Sequence, residues 1–133
     1  MVRKNISSGS QYEASIGFSR AVRIGKLISV SGTAPIAEDG KTAFPGDLYN
    51  QTKRCIDIMV KAIIEAGGKK EDIIRTRIYL KNVGEWGEAA KAHGEYFSKI
   101  RPACTFIGVK GLIDPEWLVE TEADCVIKAL EIS

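Results

Sequence analysis

Histidine and cysteine are scarce in this chain, with one histidine and three cysteines among 133 residues. Cys55, Cys104 and Cys125 are odd in number and form no CxxC spacing, so no disulfide framework is expected. With His93 as the lone histidine and no close Cys/His cluster, a structural zinc site is not expected, and no metal ligand is assigned. Charge of one sign is also missing: 19 basic residues face 17 acidic ones, a formal net charge of +2. Polyanion binders usually carry a basic excess or stripe, so this balance argues against a nucleic-acid partner. No apolar run approaches the ~20 residues that span a bilayer, so no membrane partner is expected. Residues 1–11 lack the apolar core of a secretory signal, and together with the cysteine usage this points to a reducing, cytoplasmic setting. GxGxxG, GxxxxGK[ST] and GxSxG are absent, which removes the usual support for nucleotide-binding and α/β-hydrolase folds.

What remains is enough for one core. At 44% apolar residues the chain is too hydrophobic for disorder, and its length suits one domain spanning 1–133. The spacing predicts a hairpin, with strands at 19–24 and 27–32 around Gly25-Lys26. A loop follows, punctuated by Pro35, Asp39-Gly40 and Pro45-Gly46, and Asp47 is a candidate N-cap. Leu48, Thr52, Cys55, Met59, Ala62 and Ala66, widened by Ile56 and Ile63, form the stripe of a helix over 48–66 that Gly67-Gly68 ends. A strand over 73–81 places Ile74, Thr76, Ile78 and Leu80 on one face and Arg75, Arg77 and Tyr79 on the other. A second helix over 85–100 carries Trp86, Ala90, His93, Phe97 and Ile100 at helical spacing, and Pro102 prevents its continuation. Strands at 104–109 and 117–130 close the chain. The order ββ-α-β-α-ββ predicts an α+β fold, one mixed sheet with two helices on one face.

The uncovered face then carries Arg75, Arg77 and Tyr79, and also Glu120, Glu122 and Asp124. If their strands are neighbours, opposite charges meet across the ladder. Two readings stay open: a solvated salt-bridge face, or a face covered by another subunit.

Several short segments, taken in order, resemble the Rid family (RidA/YjgF type, also known as endoribonuclease L-PSP or translation initiation inhibitor). They are Ser31-Gly32-Thr33-Ala34-Pro35, Glu65-Ala66-Gly67-Gly68, Arg77-Ile78-Tyr79-Leu80, Arg101-Pro102-Ala103-Cys104-Thr105 and Val119-Glu120-Thr121-Glu122-Ala123. The likeness runs from about residue 19 to 127 and implies a chorismate-mutase-like fold. It also implies a homotrimer with small-molecule clefts between subunits, and hydrolysis of reactive enamines and imines, such as 2-aminoacrylate, to a keto acid and ammonia without a metal or organic cofactor. Residue by residue, the family glutamate that handles water matches Glu120, and the ligand-holding Ser-Gly matches Ser31-Gly32. The family's pocket tyrosine falls near Ser19, with Phe18 beside it. The carboxylate-gripping arginine after Pro-Ala is replaced by Cys104, and a family cysteine by Phe106.

The expected site is therefore Glu120 as the catalytic group, with Phe18, Ser31, Gly32, His93, Cys104 and Phe106 around the substrate. Each has a plainer alternative. Glu120 can be a salt-bridge partner of Arg75 or Arg77. His93 lies on an apolar stripe and suits a packed, hydrogen-bonded position. Ser31 can serve a strand-end hydrogen bond, and Phe18 and Phe106 can be wall or core. Arg20, Arg75, Arg77 and Arg101 are candidate replacements for the missing arginine. The alternative function is a non-catalytic binding or regulatory trimer, with ribonuclease or translation-inhibitor action behind it.

Overall fold

The long apolar stripe folds as its spacing predicts. In a computed structural model, which describes residues 1–128, helix α2 spans Leu48–Glu65 and buries Leu48, Thr52, Cys55, Ile56, Met59, Ala62 and Ile63. Asp47 caps it by accepting a hydrogen bond from the Asn50 amide at 3.0 Å. Past the C-cap residue Ala66, Gly67 adopts φ 97°, a conformation that only glycine takes at little cost.

This helix lies on a six-stranded sheet. The strands are β1 (Arg3–Ile6), β2 (Ala21–Ile24), β3 (Leu27–Thr33), β4 (Ile73–Leu80), β5 (Ala103–Gly108) and β6 (Val119–Val126). Their order across the sheet is β1-β2-β3-β6-β4-β5, with β5 parallel to β4 and every other pair antiparallel. Ile28, Val30, Ile73, Ala123 and Cys125 pack against Ile56, Met59, Ala62 and Ile63 of α2. Helix α3 (Trp86–Phe97) lies beside α2 and over the β4–β5 end of the sheet. The α+β reading holds, with one addition: a third, short helix, α1 (Gln11–Ile16).

Four sequence expectations need correction. Strand β1 and helix α1 were both unforeseen. The polar edge strand Arg-Lys-Asn-Ile has no alternating pattern, and α1 is too short for a stripe. Ser10 and a left-handed Gly17 cap α1. Ile74 does not face the core. The β4–β6 register shifts between Ile73 and Arg75, so Ile73 is 2% exposed and Ile74 52%. The buried face of α3 carries Ala89, Ala92 and Phe97, while Trp86 is exposed. Finally, β6 starts at Val119 rather than Trp117, and the expected end at Leu130 lies outside the described residues.

The uncovered sheet face carries the opposed charges that the sequence suggested. Arg77 Nη1 lies 3.0 Å from Asp124 Oδ2 and 3.8 Å from Glu122 Oε1. Tyr79 donates to Glu122 at 2.7 Å, and Arg75 donates to the Thr105 hydroxyl. Glu120 takes no part in these ion pairs.

Candidate functional site

Two clusters of the expected site residues form, one at each side of the sheet. The first gathers at the start of β2, the end of β3 and the start of β6. Ser31 Oγ donates to the Ser19 carbonyl at 2.6 Å, which leaves the hydroxyl oxygen able to accept from a ligand. Next along β3, Gly32 has no side chain where one would collide: a Cβ there would stand 2.9 Å from Glu120 Oε1. The small residue makes room for the carboxylate. Burial pushes the Glu120 carboxyl above its ordinary value, while the Arg20 guanidinium pulls it partly back.

Arg20 is itself buried, and burial lowers its affinity for its proton. It donates through Nη1 to the Gly32 carbonyl at 2.5 Å and to Thr33 Oγ1 at 3.2 Å. Its guanidinium carbon stands 5.5 Å from the centre of the Phe18 ring. Arg20 thus holds the bend of β3 and the charge of Glu120 together. A cavity of ≈ 450 Å³ opens beside this cluster, lined by Arg3, Asn5, Glu13, Phe18, Ser19 and Ser31 among others.

The second cluster sits where α3 crosses β4 and β5. His93 Nε2 is 2.8 Å from Thr76 Oγ1, and its ring centre lies 4.6 Å from Phe97 and 5.7 Å from Phe106. Burial lowers the His93 pKa, favouring the neutral ring. Cys104 pairs in register with Thr76, and Phe106 with Ile78, so both side chains face the helix side. Trp86 stacks edge-on against Phe106 at 5.7 Å. The packed, hydrogen-bonded reading of His93 fits this setting.

One subunit keeps the clusters apart. Strands β6 and β4 lie between β3 and β5. Ser31 and Gly32 on β3 lie three strand spacings from β5, ~14 Å, and Glu120 on β6 lies two, ~10 Å. The structure thus joins Phe18, Ser31, Gly32 and Glu120, and separately His93, Cys104 and Phe106. Among the four candidate replacement arginines, Arg75 and Arg77 are engaged on the uncovered face, and only Arg20 lies beside Glu120. Arg101, at φ 55°, precedes Pro102 and is exposed. Sequence reasoning missed Arg3, Asn5 and Glu13 because they sit on β1 and α1, the two elements without a periodic signal.

The profile of the family Endoribonuclease L-PSP matches residues 9–127. The chain belongs to this Rid/YjgF family. An uncharacterized protein of Streptomyces coelicolor is 36% identical over 135 residues, covering 96% of this chain and 95% of that one. A crystal structure of a YjgF-family protein from Mycobacterium tuberculosis is 38% identical, with a TM-score of 0.86, covering 95% of this chain and all of that one. The 3-aminoacrylate deaminase RutC of Acinetobacter baylyi is 28% identical over 100 residues, covering 75% of this chain and 79% of its own. The chorismate-mutase-like architecture expected of the family is therefore the one observed. Among the described residues, no helix is long and apolar enough to cross a membrane.

Proposed function

We propose that this Rid/YjgF protein is a cytoplasmic homotrimer that hydrolyses a small enamine or imine in clefts between subunits. Each cleft would join the Glu120 cluster of one subunit to the Cys104 cluster of its neighbour. The observation that carries the reading is the half-buried Glu120 carboxylate, seated against Gly32 and free of the Arg77 ion pairs. A carboxylate with a raised pKa is a stronger base than an ordinary surface glutamate.

The chemistry needs water and this one group. An enamine first takes a proton from solvent on carbon and becomes an iminium ion, and an imine reaches the same ion by taking a proton on nitrogen. Water then adds to the iminium carbon: its oxygen forms the C–O bond, the C=N π electrons return to nitrogen, and one of the water protons passes to Glu120. The carbinolamine collapses as Glu120 returns that proton to nitrogen, the C–N bond breaks, and the hydroxyl proton leaves to solvent as the C=O bond forms. The products are a carbonyl compound and ammonia. No electrons are gained or lost, and no cofactor is required. Ser31 would accept or donate at the substrate's polar end, and Phe18 with Phe106 would form the apolar walls. His93, tied to Thr76, would shape the wall.

The relative named a 3-aminoacrylate deaminase supports this reaction class. Ammonia release from a panel of linear, cyclic and aromatic imines, each containing a releasable nitrogen, tests it. Acceleration by the purified protein is expected, and no acceleration across the panel by intact trimers would end the enzymatic reading. A second reading, a trimer that binds a metabolite without turnover, draws on Cys104, where no fixed positive charge stands. Ligands that raise the melting temperature without being consumed would favour it.

A further inference from the structure

Arg20 is a buried cation with two acidic neighbours, Glu13 on α1 and Glu120 on β6. It forms an ion pair with neither. The ion pairs among the described residues are Lys53–Glu95, Arg77–Glu122 and Arg77–Asp124. The Arg20 guanidinium donates instead through Nη1 to two uncharged oxygens, Gly32 O and Thr33 Oγ1. A buried charge ordinarily pairs with an opposite one, because neutral acceptors replace only part of its lost hydration. Arg20 therefore stands under the pull of two carboxylates and is committed to neither.

Glu13 is fixed in place and in charge. It is only 7% exposed, and it lines the ≈ 450 Å³ cavity together with Phe18 and Ser31. Its Oε2 accepts from the Ser8 amide at 3.1 Å and the Ser8 hydroxyl at 2.5 Å. Burial pulls the carboxyl up, but the Ser8 bonds, the Ser7 hydroxyl and the Arg20 charge together outweigh it. The group is held below its ordinary value and stays an anion. Its backbone carbonyl accepts from the Gly17 amide at 2.9 Å and the Phe18 amide at 3.0 Å. The residues leading into Arg20 thus hang on Glu13 itself, and the Phe18 ring centre lies 5.5 Å from the Arg20 guanidinium carbon.

We propose that Glu13 is a positioning residue that keeps Arg20 from closing onto Glu120, and so leaves the Glu120 carboxylate free of an ion pair. A carboxylate paired with a guanidinium is a weak base, since protonating it forfeits the pair. The titratable groups that act on Glu120 or feel its charge are Arg20, Glu122 on the same strand, Tyr79 on β4 and Cys55 on α2. Burial keeps the Cys55 thiol neutral, and Tyr79 donates to Glu122. Of these four, only Arg20 is a cation, so its resting place decides how basic Glu120 is. The inference rests on the reading of Glu120 as the base and deepens it by naming what keeps that base unpaired.

Carboxyl-carbon NMR titration of the assembled protein tests it, with Glu120→Gln identifying the Glu120 signal. Glu13→Gln removes the charge but keeps an amide oxygen for the Ser8 donors, so the fold should persist by circular dichroism. The Glu120 midpoint should then fall by ~1 pH unit, and the acid limb of imine hydrolysis should move with it. Glu13→Asp retains the charge and should stay near the wild-type midpoint. Glu38→Gln removes an exposed carboxylate and is the control, with no shift expected. In an Arg20→Met background, Glu13→Gln should add no shift, because the coupling runs through Arg20. Independently, Arg20→Met alone should raise the midpoints of both Glu13 and Glu120, and either one staying put overturns the inference. An unmoved Glu120 midpoint in Glu13→Gln overturns it, as does an equal fall in Glu13→Asp or in the Arg20→Met background. The NMR midpoint needs no turnover, so the two readings separate. A shifted midpoint without ammonia release keeps the role of Glu13 and sinks the hydrolase reading. Ammonia release with an unmoved midpoint does the reverse.

Discussion

Gly32 and Glu120 approach so closely that a Cβ on the glycine would stand 2.9 Å from the carboxylate oxygen Oε1. The obstacle would be the far end of a flexible side chain, so the fold can yield without the backbone moving. Gly32→Ala is therefore expected to cost little stability, within ~1 kcal/mol, while displacing the carboxylate. Misplacing a catalytic group by about 1 Å can cost ~100-fold in rate. Comparing denaturant midpoints with imine-hydrolysis rates for Gly32→Ala and wild type checks this. A large stability loss with unchanged specific activity would contradict it.

The environment of Glu120 sets a pH dependence. Burial raises its pKa and Arg20 lowers it less than burial raises it. The group acts as a base only when ionised. Activity should therefore rise with pH along an acid limb whose midpoint lies above the ordinary glutamate value of 4.5. Arg20→Met removes the opposing charge and should move that midpoint further up. A kcat/KM profile from pH 4 to 8 reads both, with variants confirmed folded by circular dichroism.

His93 affects stability with a definite sign. Its folded pKa is depressed by burial, so the unfolded chain binds a proton more readily than the folded one. Its contribution is complete above the ordinary value of 6.5 and declines as pH falls below it. The groups against its ring, Thr76, Phe97 and Phe106, are uncharged and offer the imidazolium no ion pair. Urea unfolding at pH 5 and 7.5 should show a smaller pH difference in His93→Gln than in wild type.

Gln51 is a structural clip that hydropathy could not reveal. It is fully buried on α2. Its Oε1 accepts from the Leu118 amide at 2.9 Å, and its Nε2 donates to Glu116 O at 3.1 Å and Phe44 O at 3.3 Å. Through these bonds α2 fixes the loop just ahead of Glu120. Gln51→Leu leaves a buried amide and carbonyls without partners, and should cost ~1–3 kcal/mol per uncompensated group. The fall should appear as a lower urea midpoint at unchanged m-value.

Much of this was legible from residue spacing. The stripe of α2, its Asp47 cap and the Gly67 stop follow local rules and were found where those rules placed them. The opposed Arg77 and Glu122 were visible as alternating faces of two strands, and pairing of β4 with β6 made them neighbours. Local rules failed where the cause was not local. Ile74 turns outward because of a register shift against β6, which depends on a partner strand nearly fifty residues away. Arg3 stayed hidden because β1 is a strand only by pairing with β2. The sequence also named Glu120 and Cys104 as site candidates without showing that one subunit keeps them on separate sides of the sheet. Linear order contains no distance across strands.

The central claim is that Glu120 moves the proton in imine hydrolysis within an assembled cleft. The most direct measurement is ammonia release from 2-aminoacrylate generated in situ, comparing wild type with Glu120→Gln. Both samples would first be shown by light scattering to have three times the 14.5 kDa chain mass. Loss of a general acid–base group typically costs ~100- to 10,000-fold. A wild-type acceleration that falls by that range in Glu120→Gln is the predicted result. Equal rates in the two proteins, or no acceleration by the wild-type trimer, would contradict it.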